Sequence, residues 1–95
     1  GIHFGEVERH SMDNRHVFNV QLYLDDIPPD QVVVELYADP VDGHPVERHP
    51  LSRMEPLAGA VNGYIYRGVV AAQRPIGHYT VRVLPRHPHA HIPLE

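Results

Sequence analysis

The stretch VFNVQLYLDDIPPDQVVVELYADP, residues 17–40, determines the fold of this chain. Apolar and polar side chains alternate over residues 17–24, a period of two that is typical of a half-buried β-strand. The alternation returns over residues 31–39, where β-branched side chains dominate. Pro28 and Pro29 lie between the two runs and cannot sit in a central ladder, so the chain is predicted to turn there or to cross between two sheets.

The remaining chain has the pattern of further short strands separated by turns. Strands are expected at residues 2–9, 51–57, 64–71 and 78–84. Turns or loops are expected at residues 11–15, 40–50, 58–63 and 73–77, and an extended coil or edge strand from residue 85 onward. Six or seven strands without any helical period predict one all-β domain over residues 1–95, an antiparallel immunoglobulin-like β-sandwich. In such a sandwich Tyr79 is either a tyrosine corner, bonded back to the preceding loop, or a core aromatic residue with a solvated hydroxyl.

Composition excludes several classes of function. The chain has 95 residues, a net charge of −4 and no cysteine, and its eight basic residues are all arginine. Without cysteine there is no disulfide, thiol nucleophile or zinc–thiolate site. Without lysine there is neither a Schiff base for pyridoxal phosphate nor a Walker phosphate loop. The acidic balance argues against nucleic acid or a membrane surface as a partner, and no apolar run is long enough to span a bilayer.

Two patterns suggest metal binding, and neither is favoured. His87, His89 and His91 alternate, so an extended backbone would place all three imidazoles on one side. The prolines among them favour a solvated coil, and no other ligand lies close in sequence. Asp39 and Asp42 lack the ligand spacing of a calcium loop and favour a polar turn. We therefore assign no metal and no catalytic residue.

Tyr23 and Tyr37 are the candidate binding residues. Each is predicted to lie on the outward face of its strand. If the two strands pair in one sheet, the rings would form an exposed aromatic platform beside Gln21 and Glu35. Such a platform suits the C–H face of a sugar, or packing against a neighbouring domain, and the second use is favoured because tyrosine is enriched at interfaces.

The same stretch, taken with the closing residues GHYTVRVLPRHPHAHIPLE (77–95), resembles the C-terminal end of bacterial α-glucan phosphorylases. The family pattern has a V-x-V-x-L strand, an L-x-P-x-D-V-x-V-E-L turn and strand, and a closing Y-T-x-R-x-x-P-x-H-P-x-x-x-x-P-L-E. The positions that correspond to this pattern are Val20, Leu22, Ile27, Pro29, Gln31, Val32 to Leu36, Tyr79, Thr80, Arg82, Pro85, His87, Pro88, Pro93, Leu94 and Glu95. One departure is that Gln31 stands where the family has aspartate.

The resemblance implies a fragment from the C-terminus of a larger cytoplasmic enzyme. That enzyme would use pyridoxal phosphate to transfer a glucosyl unit between an α-1,4-glucan and phosphate. The family's cofactor and phosphate-binding residues lie in its catalytic region, which this chain does not contain. The chain would then be an accessory domain that braces the catalytic region of the same polypeptide or weakly holds glucan. The alternative is a free-standing immunoglobulin-like binding module, either carbohydrate-binding or adhesive.

Overall fold

The computed structural model describes residues 1–86, which form seven strands in two antiparallel sheets. The strands are β1 (His3–Met12), β2 (Arg15–Tyr23), β3 (Val32–Ala38), β4 (Glu47–Pro50), β5 (Ser52–Pro56), β6 (Gly63–Ala71) and β7 (Tyr79–Pro85). The first sheet has the order β1-β2-β6-β5 and the second the order β4-β3-β7. The predicted all-β antiparallel sandwich is confirmed.

The strand order resembles that of immunoglobulin-like domains. Lettered A, B, C, C′, D, E and F in chain order, the strands follow A-B-E-D in one sheet and C′-C-F in the other. The immunoglobulin-like assignment itself stays a prediction.

The core lies between β2 and β3, the strands whose alternation is clearest in the sequence. Phe18, Leu22 and Leu36 are fully buried there. Each strand also lies between two hydrogen-bonded neighbours, β2 between β1 and β6 and β3 between β4 and β7. Burial of one such side chain contributes about 1.5–3 kcal/mol, so these two strands supply most of the apolar stabilisation.

The two prolines mark a crossing between sheets, as predicted. β2 lies in the first sheet and β3 in the second, and a single 3-10 turn over Pro29–Gln31 precedes β3. The Asn62 side-chain amide donates hydrogen bonds to the backbone oxygens of Asp25 (3.0 Å) and Ile27 (2.8 Å). The crossing is therefore tied to the turn before β6.

The first hairpin differs from its prediction. The structure extends β1 to Met12, beyond the predicted end at residue 9, and the turn contains only Asp13 and Asn14, with φ angles of 54° and 60°. Two left-handed residues are what a tight two-residue hairpin turn requires. A register shift between Phe4 and Val7 explains the imperfect alternation of this strand.

Two further expectations are wrong. The predicted loop at residues 40–50 contains β4, which pairs along the edge of β3. The strand is four residues long and rich in charge and proline, so only its pairing reveals it. The predicted turn at residues 58–63 ends one residue too late, since Gly63 lies within β6; the left-handed residue of this turn is Gly59, with a φ of 79°.

Candidate functional site

A groove of about 700 Å³ opens at the end of the first sheet, where β2 leaves it. It is lined by the ring of Tyr23, by His3 and Gly1 from the start of the chain, by Asp25 and Asp26, and by the turn at residues 58–62. This volume lies within the range of ligand pockets, about 300–1,000 Å³. Tyr23, predicted as a binding residue, thus lines a concavity of ligand-pocket size.

The ring of Tyr23 is fixed by its two neighbouring strands. A β-carbon on Gly5 of β1 would lie 2.9 Å from Tyr23 Cε2, and one on Gly63 of β6 would lie 2.9 Å from Cδ1. These are opposite corners of the ring, so only glycine on both sides leaves room for it. The imidazole of His3 stacks on the ring with centroids 4.8 Å apart and planes 13° apart. The chain therefore holds this aromatic side chain in one orientation.

Two carboxylates stand beside the ring. Asp25 takes a left-handed backbone conformation, with a φ of 58°, and its side chain is exposed. The backbone N–H of Leu24 donates to the Asn62 carbonyl oxygen (2.9 Å), and the Asn62 amide holds Asp25 from the other side. Asp25 also accepts a hydrogen bond from the amino nitrogen of Gly1 at 3.0 Å. The acidic end of the groove is thus anchored by backbone contacts.

Tyr37 lies in a different setting, on the outer face of the second sheet. The guanidinium carbon of Arg82 is 3.9 Å from the Tyr37 ring centroid, so the cation covers the ring. Arg82 Nε also donates to Glu35 Oε2 (2.5 Å), and Arg48 Nε lies 3.4 Å from the same oxygen. Burial raises the pKa of Glu35, but the hydrogen bonds and charges of the two arginines outweigh it, so the pKa lies below its usual value. This ion cluster stabilises the face of the sheet.

The structure does not join the predicted residues into one platform. Tyr23 belongs to the first sheet and Tyr37 to the second, so the condition for a shared platform, pairing of their strands in one sheet, is not met. Glu35 was expected at the surface, yet it is only 4% exposed beneath its two arginines. Gln21 lies near Tyr23 and accepts a hydrogen bond from the backbone N–H of Glu6 at 3.1 Å, which holds the irregular part of β1. Ligand or interface binding by these four residues stays a prediction.

A second polar cluster surrounds Tyr79. Its hydroxyl donates to Glu47 Oε1 at 2.7 Å. Of the two alternatives for Tyr79, the tyrosine corner is therefore wrong, because the partner is a side chain of β4 and not the preceding loop. Burial and, after it, the Glu47 carboxylate together raise the pKa of Tyr79 to about 12. Burial likewise raises the pKa of Glu47, but hydrogen bonds from His49, Tyr79 and Arg74 outweigh it and lower the pKa overall.

Arg74 is the hub of this cluster, and no pattern in the sequence indicated it. Its side chain is completely buried and donates to the carbonyl oxygens of Pro45 (2.6 Å) and Asp39 and to Glu47 Oε2 (3.3 Å). The backbone oxygen of Arg74 in turn accepts a hydrogen bond from His16 Nε2 (2.6 Å). One arginine thus holds the 39–47 loop and the first hairpin to the segment before β7.

The described residues contain no group of three or more histidine, aspartate or glutamate side chains placed to share a metal ion. The expectation for the alternating histidines 87, 89 and 91 lies outside residues 1–86. Within the same range, no helix has the length and apolar character to cross a membrane.

The fold and its clusters define a class of protein, an antiparallel β-sandwich whose buried ion pairs connect its own strands and loops and which carries one open aromatic groove. The profile of one protein family, described as the glycogen phosphorylase C-terminal domain, matches residues 2–95. The chain belongs to this family, and the resemblance seen in its sequence is confirmed. Comparison with curated proteins and with solved structures found no match.

Proposed function

We propose that this chain is a non-catalytic accessory domain of an α-glucan phosphorylase and that it braces the catalytic region of the same polypeptide. The parent enzyme would convert α-1,4-glucan and phosphate to glucose 1-phosphate. The family match supports the connection to a phosphorylase. The observation that carries the bracing role is an apolar seam along one side of the sandwich.

The seam, defined by Ile2, Phe4, Val81 and Val83, lies between the edge strands β1 and β7. Val81 pairs with Leu36 and Val83 with Val34, so both valines face the core, but each is only half-buried. Phe4 is 42% exposed.

The seam lies along free edges of both sheets, because β1 and β7 are each the last strand of their sheet. An apolar cleft of about 420 Å³ continues it past Ile27, Val32 and Pro85. Apolar surface left open in this way is characteristic of a protein contact. A catalytic region that packs along the seam would bury it.

The residues of this chain do not fit pyridoxal phosphate. The cofactor binds its enzymes through a Schiff base to a lysine amine, and all eight basic residues here are arginine. The proposal therefore assigns cofactor binding and phosphorolysis to the catalytic region. The contribution of this domain is to the stability and geometry of that region.

The test is binding between the 95-residue chain and the separately expressed catalytic region, measured by calorimetry. We expect an interaction that Phe4→Gln weakens about tenfold, the effect of losing one aromatic anchor. The matched control is Met12→Gln, because Met12 is also exposed (57%) but lies at the opposite end of β1, away from the seam. Equal affinities for the two variants would refute the seam as the contact. No interaction, combined with unchanged thermal inactivation of a phosphorylase that lacks the domain, would refute bracing.

A further inference from the structure

We infer that the groove beside Tyr23 is a binding site for an α-1,4-linked glucose oligomer. The choice of this sugar rests on the proposed function, because the family match is what points to glucan. The choice of a neutral carbohydrate as the ligand class rests on the groove itself. Its lining combines a fixed aromatic ring, a stacked imidazole and two carboxylates in one concavity.

The aromatic part of the groove suits a sugar ring. An aromatic face carries partial negative charge and attracts the polarised C–H groups of a hexose. Gly5 and Gly63 hold the Tyr23 ring in place from both sides, and His3 stacks on it, so little side-chain freedom is lost when a ligand binds. The ring is half-buried and still lines the groove, so part of its surface is available to a ligand.

The polar part of the groove offers hydrogen-bond acceptors to hydroxyl donors. Asp25 and Asp26 offer carboxylate oxygens that accept hydrogen bonds from sugar hydroxyls. Asp25 Oδ2 already accepts a hydrogen bond from the Gly1 amino group, whose positive charge offsets that carboxylate, and no arginine lines the groove. The Asn62 contacts to the backbone of Asp25 and Ile27 fix the carboxylate turn before any ligand arrives. A neutral polyhydroxylated chain is the ligand that satisfies both halves of the groove.

The ring of Tyr37, unlike that of Tyr23, is already covered by a cation. Tyr37 is also a half-buried tyrosine on an outer sheet face, but the Arg82 guanidinium occupies its ring at 3.9 Å and is itself fixed by Glu35. A sugar could stack on Tyr37 only by displacing the Arg82 guanidinium, which already contacts the ring and pairs with the Glu35 carboxylate. We therefore expect no sugar binding at Tyr37.

The experiment is an NMR titration of the 15N-labelled 95-residue chain with maltoheptaose. Shifts are expected at residues 3, 23, 25–26 and 58–62, with a dissociation constant of about 1 mM, as suits a shallow, open site. Tyr23→Ala and His3→Ala should each weaken binding, the first by about tenfold. Tyr37→Ala should leave the affinity unchanged. His3 is exposed, so its replacement keeps the test valid even if Tyr23→Ala fails to fold.

Each outcome decides the question. Silence at about 20 mM maltoheptaose, shifts confined to other surfaces, or equal binding by Tyr23→Ala and Tyr37→Ala would overturn the inference. An equal response to cellohexaose would overturn the α-1,4 assignment. The bracing role is tested independently of sugar binding. Phe4→Gln should retain maltoheptaose binding, and Tyr23→Ala should retain binding to the catalytic region.

Discussion

Replacement of Arg74 by methionine should be among the most damaging single changes in this domain. The arginine side chain is 0% exposed and bonds to two backbone carbonyls and to the Glu47 carboxylate. Methionine fills similar space but donates no hydrogen bond. The variant would leave Glu47 as a partly buried charge with one strong partner fewer, and the carbonyls of Asp39 and Pro45 without the donor.

The structure sets the size of the effect. Removing one partner of a buried ion pair costs about 3–5 kcal/mol, and a buried carbonyl without its donor costs about 1–3 kcal/mol. These contributions overlap because they share one side chain, so we expect a loss of about 3–5 kcal/mol in the free energy of unfolding. In a domain of this size, 1 kcal/mol lowers the melting temperature by about 4–8 °C. Arg74→Met should therefore melt at least about 12 °C below the parent chain.

Circular dichroism melts at pH 7 measure this difference, and Arg67→Met is the matched control. Arg67 lies on β6 with an exposed side chain and makes a 3.3 Å hydrogen bond to Asn19. Its replacement should change stability by less than about 0.5 kcal/mol. If Arg74→Met melts within about 4 °C of the parent chain, or no lower than Arg67→Met, the buried cluster does not hold the loop as described.

Three other predictions concern the core, the aromatic ring and the response to alkali. Val34→Asp should unfold the domain, because Val34 is 2% exposed and the charge would be buried unpaired, whereas Val33→Asp on the outer face should remain folded in a thermal melt. Gly63→Ala should lower the free energy of unfolding, measured by urea titration, by about 1–3 kcal/mol, because the new methyl group meets a fixed ring at 2.9 Å. The control Gly77→Ala should leave the free energy of unfolding unchanged, because its methyl group meets nothing within 4 Å. The pKa of Tyr79 is raised from 10.0 to about 12, so the unfolded chain ionises first and stability should fall as pH rises from 10 to 12. Tyr79→Phe should flatten the dependence of stability on pH in this range. An unchanged slope would contradict the assignment of the fall in stability to Tyr79.

The fold was largely predictable because its central strands carry a local signal. The alternation in residues 17–24 and 31–39 follows directly from burial on one face, and the two prolines between them indicate the crossing. β4 was not predictable, because its four residues lack alternation and form a strand only through pairing with β3. A strand of that kind is specified by its neighbour and not by its own sequence.

The candidate site was predictable only in part. Tyr23 is identifiable from its place in the alternation. The glycines that fix its ring, Gly5 and Gly63, lie 18 and 40 positions away in sequence and come beside it through the register of two ladders. Glu35 was predicted to be exposed for a similar reason: the residue that covers it, Arg82, lies 47 positions away in sequence. Contacts of this range depend on register, which no local pattern reveals.

The position of β6 beside β2 has a consequence for synthesis of the chain. Phe18 pairs opposite Gly68, fifty residues later. As the polypeptide emerges from the ribosome, the hairpin of β1 and β2 is complete early, but the second edge of β2 has no hydrogen-bonding partner until β6 has followed. Partners this distant make assembly slow and expose nascent chains to association with one another. If a catalytic region folds ahead of this hairpin, as the proposed role implies, it would be the first surface available to shield that unpaired strand edge from other chains.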